Sequence, residues 1–214
     1  MNLNNHKMKL SESALATHFI DKYLLDHDVY KEVPCGGIID IVTTKGNIIT
    51  SFEAKTSFSF DVIEQAVKNK SFAHYSYVLI PRTKSRSFAF QICREYGIGI
   101  IEVLCMNDGK MGQPYQILAP KLNRKISKPK LADWQKLNTA GVQSGRITAF
   151  SNTVSEITIH LKRKQGKDLT KNVLSIVKHH YGSLTSATSS LMTMVNRGVI
   201  KDFYFDKGYI ILTE

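Results

Sequence analysis

The N-terminal half of the chain alternates between two hydrophobic periods. Apolar residues at helical spacing predict an amphipathic helix over residues 11–26, which Ser11 caps at its N-terminus. From Val29 the period shortens to two, which is typical of a strand with one buried face. We expect three consecutive strands here, at residues 29–33, 36–44 and 48–55. The last two form a β-hairpin around the turn Lys45-Gly46-Asn47.

After the hairpin, helical and strand patterns follow one another singly. The spacing predicts a helix over residues 61–75, a strand over 75–81, a helix over 85–97 and a strand over 99–104. A strand–helix–strand unit joins parallel strands by a right-handed crossover, whereas a hairpin joins antiparallel strands. The expected fold class is therefore α/β, with a mixed sheet and helices on its faces.

The C-terminal half has a different composition. Residues 106–130 contain Pro, Gly and many basic residues, and they predict a connector. Residues 131–150 fit a helix in part and a loop in part. We therefore expect three parts, at residues 1–106, 107–150 and 151–214.

The charge of the chain is uneven. Of the net charge of +11, residues 1–105 contribute +1, with 12 basic and 11 acidic residues. Residues 106–214 contribute +10, with 17 basic and 7 acidic residues. A basic half joined to a balanced half suggests that a segment binding a polyanion is attached to a domain with another task.

Several classes of protein are disfavoured by what the sequence lacks. No apolar run approaches the roughly 18 residues of a membrane span, and the N-terminus has no apolar signal core. Three cysteines without a CxxC spacing favour reduced thiols in a cytoplasmic protein, associated with the nucleoid if the source is bacterial. The lack of an apolar span leads us to expect no membrane partner. No Gly-x-x-x-x-Gly-Lys-Ser/Thr motif is present, so we expect no nucleotide cofactor.

Candidate chemistry is concentrated on the predicted hairpin. Asp40 interrupts an apolar strand, and the partner strand ends in Glu53-Ala54-Lys55. Residues two apart in a strand share a face, so Glu53 and Lys55 lie together and Asp40 can approach them across the ladder. Two carboxylates are the ligands that Mg²⁺ takes from a protein, and Lys55 would position water or stabilise a phosphoryl transition state. Glu12, on the first helix, could add another carboxylate.

These residues resemble the PD-(D/E)XK, or restriction-endonuclease-like, nuclease superfamily over residues 11–104. The resemblance implies a core of helix, three-stranded meander, helix and strand, with Asp40 and Glu53-Ala54-Lys55 as the Mg²⁺-dependent site. It also implies a role for Glu12, and for Gln65 as the polar residue on the helix after the motif strand. The proline of the family name is not beside Asp40, since the nearest is Pro34.

The last residues predict a small α+β unit. The segment 153–164 fits either a strand or a helix. Helices are expected over 168–180 and 185–197, with a turn near Tyr181-Gly182-Ser183, and a two-stranded hairpin over 199–212. This order resembles a winged helix-turn-helix, whose second helix enters the major groove of DNA. The same fold also serves protein contacts or dimerisation, and that alternative remains open.

The resemblance places candidate DNA contacts on three parts of this unit: the basic run before the first helix, the second helix and the wing. These residues are Lys162, Arg163, Lys164, Lys167, Thr185, Ser186, Thr188, Ser189, Arg197, Lys201 and Lys207. Contacts of lysine and arginine with phosphates would weaken steeply with salt.

The sequence therefore predicts a metal-dependent DNA endonuclease. Asp40, Glu53 and Glu12 would hold Mg²⁺ or Mn²⁺, while Lys55 and Gln65 assist. If it cuts both strands, a protein of this size is expected to act as a homodimer. One alternative is a catalytically inactive DNA-binding regulator that keeps a nuclease-like fold. Another is a protein whose basic half binds RNA or a partner protein.

Overall fold

The computed structural model describes residues 10–83, 88–106, 108–142 and 145–213. The chain folds as two compact units, Met1–Arg146 and Ile147–Glu214. Each unit has its own sheet and its own buried apolar clusters. The N-terminal unit thus extends well past the boundary expected at residue 106.

The N-terminal unit contains a six-stranded mixed sheet. Its elements in chain order are α1 (Glu12–Tyr23), β1 (Asp28–Pro34), β2 (Ile38–Lys45), β3 (Ile48–Ala54), α2 (Phe60–Asn69), β4 (Tyr75–Pro81), α3 (Phe88–Tyr96), β5 (Gly99–Val103), β6 (Tyr115–Leu118) and a 3₁₀ helix (Asp133–Leu137). The spatial order is β1-β2-β3-β4-β5-β6. The first three strands pair antiparallel, β3, β4 and β5 pair parallel, and β6 returns antiparallel to β5. The mixed α/β sheet expected from the sequence is confirmed.

Helices cover both faces of this sheet. On one face, Leu15 and Phe19 of α1 pack on Phe52 and Leu79. On the other face, α2 and α3 pack on Val78 and its neighbours. Because Val78 and Leu79 are adjacent in β4, the strand buries both sides, as a central parallel strand does. This is why β4 and β5 read as continuous apolar runs, whereas the meander alternates.

The segment expected to be a connector differs from the prediction. Residues 115–118 form β6 at the edge of the sheet. Beyond it, residues 119–132 have no helix or strand, yet Ile126 and Leu131 pack against the buried cluster around Ile39. The weak signal has a physical cause, because β6 is short and half-exposed and therefore lacks an apolar run. Of the predicted helix 85–97, residues 85–87 lie outside the described residues.

The C-terminal unit contains three helices and a small sheet. Its elements are α4 (Ala149–Arg163), β7 (Lys167–Leu169), α5 (Thr170–Ile176), α6 (Leu184–Asn196), β8 (Phe203–Asp206) and β9 (Tyr209–Leu212). The sheet order is β7-β9-β8, and both pairings are antiparallel. The ambiguous segment 153–164 is therefore helical, and its helix is capped at the N-terminus by Thr148, whose hydroxyl accepts the Ser151 N–H. The hairpin expected over 199–212 is present as β8 and β9, whereas β7 was not expected.

Candidate functional site

Two acidic side chains meet where β2 and β3 separate. The backbone ladder joins Ile41 to Phe52, and one position further along lie Asp40 on β2 and Glu53 on β3. The Asp40 carboxylate accepts a hydrogen bond from the N–H of Ala54 at 2.9 Å. A hydrogen bond also joins the carboxyl groups of Asp40 and Glu53. The structure therefore brings together the two acids that the sequence placed on neighbouring strands.

Glu53 is almost completely withdrawn from water. Its residue is 2% exposed, and Asn69 at the end of α2 donates from Nδ2 to Oε1 at 2.6 Å. Burial raises the pKa of Glu53 to about 9, and the nearby charge of Asp40 adds to the rise. Burial also raises the pKa of Asp40, although the Ala54 N–H and the charge of Lys55 oppose it. Two poorly hydrated carboxyls in contact form a strong site for a proton or a cation.

Lys55 lies beside this pair and is held by the first helix. Its Nζ is 2.9 Å from Oε2 of Glu12, and both side chains are about one quarter exposed. Burial lowers the pKa of Lys55, but the hydrogen bond and charge of Glu12, with the charges of Asp40 and Glu53, produce a net rise. Lys55 is therefore a cation held by Glu12 and close enough to Asp40 and Glu53 for their charges to act on it. Glu12 contacts this lysine, and the described hydrogen bonds give it no contact with Asp40 or Glu53.

Gln65 does not reach the acidic pair. It is exposed on α2, and the amide that contacts Glu53 belongs to Asn69, one helical turn later. A signal for Asn69 was present in the sequence. The buried face of α2 contains Val62, Ala66 and Asn69, so Asn69 is a polar residue at a position where helical spacing expects an apolar one.

Glu32 is a third acid near the site, and sequence reasoning missed it. The ladder between β1 and β2 pairs Lys31 with Ile41 and Val33 with Ile39, which brackets Glu32 and Asp40 as cross-strand neighbours. Glu32 is 3% exposed and has a φ of 56°, in the left-handed region that non-glycine residues seldom occupy. Backbone strain of this kind is often found at functional sites.

The Glu32 carboxylate fastens a distant loop beside the site. Its Oε1 accepts the N–H of Gly141 at 2.8 Å and that of Val142 at 3.3 Å, and Oε2 lies 3.7 Å from the Arg146 guanidinium. Burial raises the pKa of Glu32, and Asp40 adds to the rise. Gly141 has a φ of 70°, and a Cβ there would lie 3.0 Å from the Glu12 backbone. Because these partners lie more than a hundred residues from Glu32, local sequence pattern contains no signal for them.

The residues present fit a hard divalent cation. Among the residues that the structure describes, no group of three or more His, Cys, Asp or Glu side chains is arranged around a metal position. Mg²⁺ nevertheless takes one or two carboxylates from the protein and completes its shell with water and substrate oxygens. Asp40 and Glu53 supply that number of carboxylates, and the mutual effect of their charges, which adds to the rise in the pKa of Glu53, shows that they lie close together.

Some of the candidate DNA contacts in the C-terminal unit interact with other residues of that unit, whereas the rest are exposed. Ser186 belongs to the N-terminal cap of α6, where it exchanges hydrogen bonds with Ser183. The Thr188 hydroxyl donates to the carbonyl of Leu184 at 2.9 Å, and Lys167 Nζ lies over the Tyr209 ring, 4.3 Å from its centroid. These three predicted contacts therefore have local structural roles. The remaining candidates are exposed: Lys162, Arg163, Lys164, Thr185, Ser189, Arg197, Lys201 and Lys207.

Comparisons with known proteins give no match, so the geometry of the site is the basis for its interpretation. No family model matches the chain, and no curated protein or solved structure matches it. Within the described ranges, no helix combines the length and apolar character needed to cross a bilayer.

We predict that Glu53→Gln reduces the loss of stability that the metal-free protein undergoes as the pH rises. The pKa of Glu53 rises from 4.5 to about 9 on folding, so the folded state keeps a proton that the unfolded state releases above pH 4.5. The contribution of Glu53 to stability is therefore complete below that pH and is lost as the pH rises toward 9. Linkage of one proton changes the free energy of unfolding by at most about 1.4 kcal/mol per pH unit.

Thermal unfolding in EDTA between pH 5 and 8 tests this, since a glutamine side chain keeps the neutral geometry without needing a proton. The Tm of the wild type should fall with pH more steeply than that of Glu53→Gln. Glu64→Gln is the control, because Glu64 lies on the exposed side of α2. Equal pH slopes for the wild type and Glu53→Gln would contradict the assignment of a raised pKa.

We also predict that Glu32→Ala destabilises the protein more than Glu32→Gln does. Alanine leaves the N–H groups of Gly141 and Val142 without their acceptor, which costs about 1–3 kcal/mol, whereas glutamine keeps an acceptor oxygen. Urea unfolding of both variants gives the comparison. Equal losses would show that the charge of Glu32, rather than its hydrogen bonds, stabilises the loop.

Proposed function

We propose that this protein is a divalent-metal-dependent DNA endonuclease with a PD-(D/E)XK type of catalytic unit. The observation that carries the proposal is the contact of Asp40 with Glu53 at the end of a β-hairpin, with Lys55 fixed beside them. The element order supports it as well. A helix, a three-stranded meander, a crossover helix and a parallel strand are the core that the resemblance implies.

In the proposed enzyme, Asp40 and Glu53 hold Mg²⁺ or Mn²⁺. Such an ion lowers the pKa of a bound water and neutralises charge on the scissile phosphate. The N–H of Ala54 orients one carboxylate and the amide of Asn69 orients the other, so the protein itself holds the two groups that would bind the ion. Fixed ligands of this kind reduce the reorganisation needed at the moment of reaction.

Lys55 supplies the second element of the chemistry. Its ammonium is anchored by Glu12 and can donate a hydrogen bond to a non-bridging phosphate oxygen or to the attacking water. Because Lys55 carries its charge across the neutral pH range, it acts as an electrostatic stabiliser and not as a general base. Glu12 is then a positioning residue for Lys55.

The C-terminal unit is proposed to be a winged-helix module that contacts DNA. Its order α4-β7-α5-α6-β8-β9 with sheet order β7-β9-β8 supports this proposal, because a helix pair is followed by a two-stranded hairpin. In such modules the second helix enters the major groove. That helix is α6, and Thr185 and Ser189 are exposed on it.

We expect purified protein to convert supercoiled plasmid to nicked or linear forms in Mg²⁺ or Mn²⁺ but not in EDTA. Asp40→Asn should reduce the rate by about 100-fold or more, because it removes a charged ligand, while its amide oxygen can still accept the Ala54 N–H. Lys55→Ala should cause a loss of similar size.

Asp61→Asn and Lys68→Ala are the matched controls, since both residues are exposed on α2. Their rates should equal that of the wild type. Equal cleavage by Asp40→Asn and the wild type would refute the assignment of the site. DNA binding without cleavage under all these conditions would instead identify a regulator with a nuclease-like fold.

For the C-terminal unit, we expect Ser189→Glu to weaken DNA binding by about 1–3 kcal/mol. The substitution puts a negative charge on the exposed face of α6, where phosphates and base edges would lie. Ser155→Glu makes the same change on the exposed surface of α4 and should have little effect. Equal effects of Ser189→Glu and Ser155→Glu in a fluorescence-anisotropy titration would exclude α6 as the recognition helix.

A further inference from the structure

The excess positive charge of the chain is not concentrated in the C-terminal unit. Residues 147–214 have nine basic and five acidic residues, a net of +4. Residues 121–146, which belong to the N-terminal unit, have seven basic and one acidic residue, a net of +6. More than half of the total of +11 thus lies in 26 residues that fold with the candidate catalytic site.

Most of these charges lie on one segment without helix or strand, residues 121–130, which we call the basic strap. The folded unit fixes its backbone at three points. The N–H groups of Lys121, Asn123 and Ser127 donate to the carbonyls of Gly97, His74 and Ser71, at 3.0, 2.8 and 2.7 Å. The strap therefore has a defined path although it belongs to no helix or strand.

The strap has an inner and an outer side. Asn123 donates to the Lys70 carbonyl at 2.6 Å, and Ile126 packs on an apolar cluster. Its five cations are exposed: Lys121, Arg124, Lys125, Lys128 and Lys130. Among the described ion pairs, none involves these five cations. Their charges are therefore available to an external anion.

A short series of contacts connects the strap to each residue of the acidic pair. It touches Lys70 and Ser71, which directly follow the Asn69 that holds Glu53. Ile126 shares its cluster with Ile39, the neighbour of Asp40 on β2. Asp40 thus follows a residue of the cluster on which Ile126 packs, and Glu53 contacts the residue that precedes Lys70.

We propose that the basic strap is a phosphate track that holds duplex DNA across the N-terminal unit and directs it to the Asp40–Glu53 site. The inference rests on the proposed function for its choice of DNA. A segment of ten residues spans at most about 33–36 Å when fully extended, and phosphates recur every 3.4 Å along each strand of DNA. Exposed cations along such a segment can contact phosphates of any DNA sequence, because contacts with the DNA backbone do not depend on the bases.

The test measures binding in EDTA, so it does not depend on cleavage. A short fluorescein-labelled duplex of mixed sequence is titrated with full-length protein at salt concentrations between about 50 and 200 mM. The variant is Lys125→Gln with Lys128→Gln. The control is Lys22→Gln with Lys110→Gln, which removes the same charge from exposed positions elsewhere in the N-terminal unit.

The strap variant should bind about tenfold or more weakly than the wild type, and its slope of log K against log salt should be shallower by about 1.8. The control should lose much less affinity. Equal losses in the two variants would attribute the effect to net charge and overturn the proposal, as would a wild type that does not bind the duplex at the lowest salt.

The same titration with an RNA duplex of the same sequence identifies the polyanion. Tighter binding of RNA, with the same sensitivity to the strap variant, would overturn the choice of DNA. Failure of the two proposals is distinguishable. A protein that never cleaves DNA but shows the predicted strap effect keeps the track and loses only the nuclease function.

Discussion

The N-terminal unit depends on keeping two carboxyl groups in contact away from water. Asp40 and Glu53 would repel each other if both were ionised at this depth. Two donors, the Ala54 N–H and the Asn69 amide, and the positive charge of Lys55 reduce that cost. The meander supplies the strands, α2 supplies the amide and α1 supplies Glu12 to hold Lys55. Each of these elements thus has a part in maintaining one unfavourable pair, which a purely structural hairpin would not need.

The sequence predicted elements well where a face is buried along its whole length. The helix α1 and the meander have clear periods, and β4 and β5 have continuous apolar runs, because the core requires them. Segment 119–132 has no such period. It is held by scattered backbone hydrogen bonds and by two apolar side chains, Ile126 and Leu131, so composition suggested a connector. Backbone hydrogen bonds to a folded partner leave no trace in a hydrophobic pattern.

The candidate site divides in the same way. Asp40, Glu53 and Lys55 could be predicted because strand period and hairpin pairing bring them together locally, and Glu12 was predicted from its place on the first helix, with the resemblance in agreement. Gln65 was chosen as the polar residue of the next helix, but helix phase places Asn69 on the buried side. Glu32 could not be predicted from the sequence, because its partners lie between Gly141 and Arg146. No local sequence rule relates a strand to so distant a loop.

Net charge counted along the sequence and net charge of the folded units lead to different conclusions about where a polyanion would bind. Counting along the chain gives a balanced half and a basic half, which suggested that one domain binds the polyanion and the other acts on it. The fold assigns residues 121–146 to the N-terminal unit, so the unit with the acidic pair also has the larger positive excess. An electrostatic field belongs to a folded surface, and it attracts an anion to whichever unit displays the cations. The larger positive excess and the candidate chemistry therefore belong to one folded unit, which is why the proposed DNA track is placed there and not in the C-terminal unit.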